Sequence, residues 1–215
     1  MRINKYLAHK QYCTRREADT HITNGEVKIN GRVAVLGDQV QESDTVEVFF
    51  ETKAYSYLAF NKPRGMTTPE NENGMFPIGR LDKDSHGLLL LTNDGRMTER
   101  LLHPDFEHEK EYLVEVQEKI RPDFAEKMSS GVDIGDYVTR TCTVQVLGES
   151  TFSVVLTEGK KHQIRRMCES LGYTVVDLCR TRIMNIELGK LKPSNVRKIE
   201  GVELQKLLRL VGLEK

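Results

Sequence analysis

The 215-residue sequence is poor in several things, and each shortage excludes something. Its four cysteines (Cys13, Cys142, Cys168 and Cys179) are scattered and form no Cys-x-x-Cys pair. This argues against a disulfide framework or zinc ribbon and for reduced thiols in a cytoplasm. The longest unbroken apolar run is the four leucines Leu88–Leu91, against the roughly 20 residues of a membrane helix. Arg2, Asn4, Lys5 and His9 interrupt any apolar stretch of a signal peptide. With only 16 Gly and 6 Pro the chain is neither collagen-like nor low in complexity, and 38% apolar residues leave material for a core in one or two domains. The six histidines show no HxH or HExxH spacing, which argues against zinc. No G-x-S-x-G elbow, P-loop or G-x-G-x-x-G occurs, so serine hydrolases, NTPases and dinucleotide enzymes are not leading ideas.

Net charge is absent too, with 32 Lys+Arg against 32 Asp+Glu, yet charge is unevenly placed. Residues 1–32 hold seven bases and three acids; residues 33–53 hold Lys53 alone against five acids. Residues 104–136 carry ten acids and four bases, and residues 160–198 carry ten bases and three acids. One such window is an ordinary solvated face. Two separated basic zones in a neutral protein suit a polyanion held at both.

Ile3, Tyr6 and Leu7 are spaced for a short amphipathic helix over residues 2–9. Thr14-Arg15-Arg16-Glu17 is a capping box that starts a second helix, with Ala18 and Ile22 inside and Gly25 as its left-handed stop. Val27-Lys28-Ile29 then alternates like a strand into Asn30-Gly31, a strong hairpin signal, and Val46, Val48 and Phe50 read as a third strand. Arg15 and Arg16 fall beside the positive end of their helix, where helix stability does not choose cations; an external anion explains them. The stretches RINKYLA, TRREADTHITNGEVKINGRVA, GDQV and DTVEV resemble the small S4-type RNA-binding domain over about residues 2–50. That resemblance implies that Arg2, Lys5, Arg15, Arg16 and Lys28 lie against structured RNA, reading shape and phosphates rather than base sequence.

After a short linker near 51–55, Tyr57–Phe60 reads as a buried strand and residues 66–77 as a polar loop. GRLDKDSHG, residues 79–87, feeds the buried strand of Leu88–Leu91 and the turn 92–95, a common place for a reactive group. Strands follow at 111–116, 141–147, 152–156 and 175–176, with helices at 122–130, 162–171 and 203–210. Strands and helices without strict βαβ alternation predict an α+β fold with a mainly antiparallel sheet, and two domains, 1–53 and 55–215. Read from spacing alone, the second module offers one loop carboxylate, one strand tyrosine and one basic helix. A loop aspartate is more often a turn-former, Tyr112 alone reads as core, and Arg165 and Arg166 alone as phosphate clamps. Asp82 and Asp84 are the nearest thing to a metal site, and no third hard ligand accompanies them.

GRLDKDSHGLLLLTNDG, with NKPRGM, KEYLV, EGKKHQIRRMCESLGY and LCRTRIMNIEL, resembles the pseudouridine synthases of the RsuA, RluB, RluE and RluF branch. Together with the N-terminal module the resemblance covers about residues 2–190, and RTRIMNI is most similar to RluF-type members, which act on large-subunit (23S) ribosomal RNA. It implies a uridine isomerase with Asp82 as the catalytic aspartate. Arg80 would fill the gap left by the extruded uridine, and Tyr112 would stack on the uracil and act as a late base. Arg165 would pair with Asp82, with Arg166 as the alternative partner, and Leu171 would line the pocket. It implies structured RNA as partner, no cofactor, no metal and no membrane; nothing demands more than a monomer. The loop between Gly65 and Phe76 looks short and no basic C-terminal tail is present, which leaves a transfer RNA target or dual specificity open. The rival readings are a non-catalytic ribosome-assembly factor on the same scaffold and a metal-dependent nuclease using Asp82 and Asp84.

Overall fold

The computed structural model describes residues 1–10, 12–51, 54–71, 74–102 and 106–213. Of the expected linker and the loop 66–77, Thr52, Lys53, Glu72 and Asn73 lie outside the described residues, as does His103 among the histidines. Two compact units emerge, Met1–Ser56 with Asp94–Arg96, and Tyr57–Asn93 with Met97–Lys215.

In the first unit, α1 (Ile3–His9) packs on α2 (Arg15–Thr23), and β1 (Val27–Ile29) is flanked by β2 (Arg32–Val33) and β3 (Val46–Val48). Both halves of the capping box form: the Glu17 amide donates to Thr14 Oγ1 at 3.3 Å and the Thr14 amide to Glu17 Oε2 at 2.9 Å. Asn30 and Gly31 both take positive φ, 51° and 78°, and Ile29 pairs directly with Arg32, as a tight two-residue hairpin requires. Ile3, Leu7, Ala18, Ile22 and Val27 form the core. Phe50 falls beyond β3 and instead stacks on His21, ring centroids 3.7 Å apart.

In the second unit β4 (Tyr57–Lys62) and β6 (His86–Thr92) are buried along almost their whole length. With β5 (Phe76–Ile78), β7 (Lys110–Val116), β8 (Thr143–Val146), β9 (Thr151–Leu156), β10 (Val175–Ile183), β11 (Ile186–Glu187) and β12 (Val196–Lys198), they make a nine-stranded sheet among the described residues. Its main path runs β12-β4-β6-β10-β7-β9-β8. The β6–β10 pairing is parallel and the others are antiparallel, so the expected α+β fold with a mainly antiparallel sheet is what forms. Helices α3 (Gly95–Leu102), α4 (Phe124–Ser129), α5 (Gln163–Ser170) and α6 (Gly201–Leu210) complete it. Phe124 packs edge-on against Phe152 and Tyr173, at 4.8 Å each, in a core that also holds Met128, Val154 and Met167. Among the described residues no helix is long and apolar enough to cross a membrane.

Three differences from the sequence reading have a physical cause. Strand β5 lies in the expected loop because pairing with Leu90–Thr92 of β6 supplies ladder bonds that three residues cannot signal by pattern. Strand β10 runs nine residues rather than two, its polar Asp177, Arg180 and Arg182 tolerated because neighbouring strands satisfy its backbone on both sides. The turn at 92–95 continues into α3.

One feature of the sheet positions everything that follows. Strand β4 occupies one edge of β6 from Gly87 to Thr92. The other edge is shared, β10 pairing at His86 and Gly87 and β5 at Leu90 to Thr92. The two partners part at Leu88 and Leu89, and a cavity opens at this fork.

Candidate active site

The cavity has a volume of about 460 Å³ and is lined by Arg80, Asp82, Tyr112, His162 and Arg180, among others. That lies within the roughly 300–1,000 Å³ of small-ligand sites. Asp82 sits on a tight turn just before β6. The buried Leu81 anchors it, its amide donating to Thr68 Oγ1 at 3.0 Å while Thr68 Oγ1 donates to the Leu81 carbonyl at 2.8 Å. The Ser85 amide donates to the Asp82 carbonyl at 3.1 Å and the Gly65 amide to the Lys83 carbonyl at 2.8 Å. A backbone held on both sides leaves the partly exposed Asp82 carboxylate aimed rather than wandering. Tyr112 on β7 lines the same cavity while packing on the core, and Arg80 is exposed at its rim.

The far wall is the polar loop leading into α5. Glu158 organises it, accepting from Tyr137 Oη at 2.8 Å, the Arg140 amide at 3.0 Å and Gln163 Nε2 at 2.7 Å. The Lys160 amide donates to Gln163 Oε1 at 2.8 Å. This brace carries His162, which takes a left-handed φ of 53° at the start of α5 and places Nε2 3.6 Å from Asp82 Oδ1. A non-glycine residue there is strained, a feature common at functional sites. Arg80, Lys110, Arg140, Lys160, Lys161 and Arg180 outnumber the acids Asp82 and Glu158 around the cavity, so the site attracts a polyanion.

The expected pairing of Arg165 with Asp82 is not what the structure holds. Arg165 donates to the Asp84 carbonyl at 3.3 Å, Ser85 Oγ at 3.5 Å and the Val175 carbonyl at 3.4 Å, gripping the end of the Asp82 turn. Arg166, about 100° further round the helix, points elsewhere, to the Ile134 carbonyl at 2.5 Å and the Asp136 carboxylate. The described side chain that forms an ion-pair geometry with Asp82 is His162, because the left-handed residue before the helix reaches the turn and the helical arginines pass it. Leu171 does not line the cavity either; it packs against the core behind α5. In the first unit Arg2, Lys5, Arg15 and Arg16 are exposed and Lys28 lies over the Phe49 ring at 5.1 Å.

Sequence reasoning missed three residues beside Asp82. His162 was legible only as the start of a basic helix. Lys62, in NKPRGM, is fully buried and donates to the Pro63 and Met66 carbonyls at 3.1 and 2.6 Å, fixing the turn whose Gly65 amide holds Lys83. Burial pushes its amine below the ordinary value, the Asp82 carboxylate opposing and Arg180 adding to the shift. Arg180 is a buried cation in the middle of a strand, and only its misfit with a hydrophobic pattern signalled it.

Residues 56–170 match the sequence model of the RNA pseudouridylate synthase family and residues 1–46 that of the S4 domain. The chain is 41% identical, over 98% of its length and 79% of the relative's, to the dual-specificity RNA pseudouridine synthase RluF of Escherichia coli. It is 34% identical, over its whole length and 96% of the relative's, to an uncharacterized RNA pseudouridine synthase of Aquifex aeolicus. A crystal structure of a pseudouridylate synthase, 26% identical, superposes on 98% of this chain and 99% of its own with a TM-score of 0.69. A carboxylate turn on a cation-rimmed cavity of this fold, with these matches along nearly the whole length, places the chain in the RNA pseudouridine synthase family of isomerases, joined to an N-terminal S4 RNA-binding domain.

Proposed function

We propose that the chain isomerises a specific uridine of large-subunit (23S) ribosomal RNA, with the Asp82 carboxylate acting on the ribose of a flipped nucleotide. The observation that supports this most is the Asp82 turn, tied down by Thr68, Gly65 and Ser85 at the lip of a cavity that Tyr112 also lines. The reaction breaks C1′–N1, turns the uracil and forms C1′–C5; one proton leaves C5 and one arrives at N1. No electron is gained or lost, so the chemistry calls for no redox cofactor.

Extruding a base costs a few kcal/mol, which the exposed Arg80 offsets by entering the gap. The Tyr112 ring supplies a π-face for the uracil and a phenol for a late proton transfer. Arg165 acts as a positioning residue through Asp84 and Ser85. Arg166 braces the segment at 134–136, and Leu171 backs α5 from the core. Residues 1–53, with Arg2, Lys5, Arg15, Arg16 and Lys28, form the domain that grips structured RNA, and residues 55–215 the catalytic domain, in a cytoplasmic monomer. The dual-specificity name of the 41%-identical relatives favours testing transfer RNA as a second substrate.

Tritium release from RNA labelled at uracil C5, with ribosomal and transfer RNA from cells lacking the protein, tests this. Wild type should release tritium and mark one uridine of 23S RNA, while Asp82→Asn should bind equally well and lose activity by about 10³-fold or more. Appreciable turnover by Asp82→Asn would sink the assigned role. Binding without release on any RNA would favour the assembly-factor reading.

A further inference from the structure

Arg180 lies on β10 opposite Tyr112 of β7 and Gly87 of β6. Directly paired residues project to the same face of a sheet, so the Arg180 side chain emerges beside Tyr112 and lines the cavity with it. A register shift between Arg180 and Arg182 makes a bulge at Thr181, a device that re-aims side chains at sites. Arg180 is only 3% exposed.

Its guanidinium is used on two sides. Nε donates at 2.6 Å to the carbonyl of Leu88, where β5 and β10 part, and Nη1 donates at 3.3 Å to the carbonyl of Arg80, two residues before Asp82. Nη2 is buried and has no partner among the described residues. No described acid forms an ion pair with Arg180. Lys110, also on the cavity wall, has its amine pushed down by burial, with the charge of Arg180 adding to the shift. A second nitrogen of the same wall, His108 Nε2, is likewise buried without a partner.

A guanidinium has donors and no acceptor and keeps its charge at any working pH. An unpaired charged donor is costly to bury, and the acceptor that relieves it here must come from outside the chain. We propose that Arg180 Nη2 donates to a carbonyl oxygen, O2 or O4, of the flipped uracil. This rests on the synthase reading above. When the C1′–N1 bond breaks, its electron pair leaves with the base and spreads onto O2 and O4, and a fixed, buried cation at either oxygen holds that charge where it forms. The same side chain sets the backbone before Asp82 through the Arg80 carbonyl. One residue thus couples the position of the carboxylate to the position of the base.

The test begins with a stem-loop containing the uridine that wild type converts. It is synthesised with uridine, 2-thiouridine or 4-thiouridine at that position, and single-turnover rates are measured for wild type, Arg180→Lys and Arg180→Met. Sulfur accepts hydrogen bonds weakly, so wild type should slow about 10-fold with one of the two thio substitutions, which corresponds to about 1.4 kcal/mol. Both variants should react slowly with every RNA and have lost that discrimination, to within about twofold. A residue that only shaped the loop would leave the thio effect unchanged in the variants, and that result overturns the proposal. Equal rates for all three RNAs with wild type overturn it even if a variant fails to fold. If melting curves show that both variants are unfolded, slowing of wild type by one thio substitution alone upholds it. Wild type that makes no pseudouridine in any RNA overturns the synthase reading itself.

Discussion

Thr68 holds Leu81 from both sides, accepting from its amide and donating to its carbonyl through one hydroxyl. Removing that hydroxyl leaves a buried backbone donor unpaired one residue from Asp82. Thr68→Ala should therefore destabilise the protein by about 1–3 kcal/mol and lower kcat more than it raises KM; an unchanged kcat would show that the turn is held without it. His108 gives a pH prediction. Burial first, and the charge of Lys110 last, push its ring below the ordinary 6.5, against a hydrogen bond to the backbone of Arg100 that raises it. Between 6.5 and the lower native value the unfolded chain binds more protons than the native one, so this group costs stability as pH falls through that window. His108→Asn should flatten the acid-side decline, read as the urea midpoint at pH 7.5 and 5.5; parallel declines in the two proteins would exclude it. Residue chemistry at this scale was partly legible. Asp82 and Tyr112 stood out by motif, whereas the pairing of Asp82 with His162 depended on one left-handed φ that no spacing rule encodes.

Among the elements, the contact between β6 and β10 depends on Gly87. Its φ is 104°, and a Cβ there would lie 2.4 Å from the Arg180 carbonyl oxygen and 2.8 Å from the Arg180 nitrogen. Backbone cannot yield as a side chain would, and strain and overpacking together put the cost of Gly87→Ala at about 3 kcal/mol or more. Chemical denaturation should show that loss, and activity should fall further than stability explains because the fork beside Asp82 is displaced. A loss under about 1 kcal/mol would mean that the strands separate easily. Elements with local signals were readable: α2 by its capping box, the β1–β2 hairpin by Asn30-Gly31. Strand β5 and the last seven residues of β10 were not, because their ladder bonds go to residues far along the chain.

Over the whole molecule, balanced charge conceals two basic zones, one in the first 32 residues and one in 160–198. Exposed Arg15 and Arg16 lie in the first turn of α2, where they gain nothing from the helix dipole. Changing both to Ala should weaken RNA binding and make the slope of log K against log salt shallower by about one to two, the count of phosphates released. An identical slope would remove this helix from the RNA surface. Stability should change little, since both side chains point to solvent.

The sequence by itself determined the family, the α+β class, the S4-type module and the loop that carries Asp82, because capping boxes, hairpin turns, buried runs and long ordered motifs are local and repeat in recognisable order. Tertiary structure alone decided which side chains stand around that aspartate. Arg165 and Arg166 diverge by the helical twist, Leu171 turns to the core, and His162, Lys62 and Arg180 arrive from three separate segments. Their meeting is set by sheet register and by the parting of β5 from β10 along β6, which depends on pairings between residues as many as 100 positions apart.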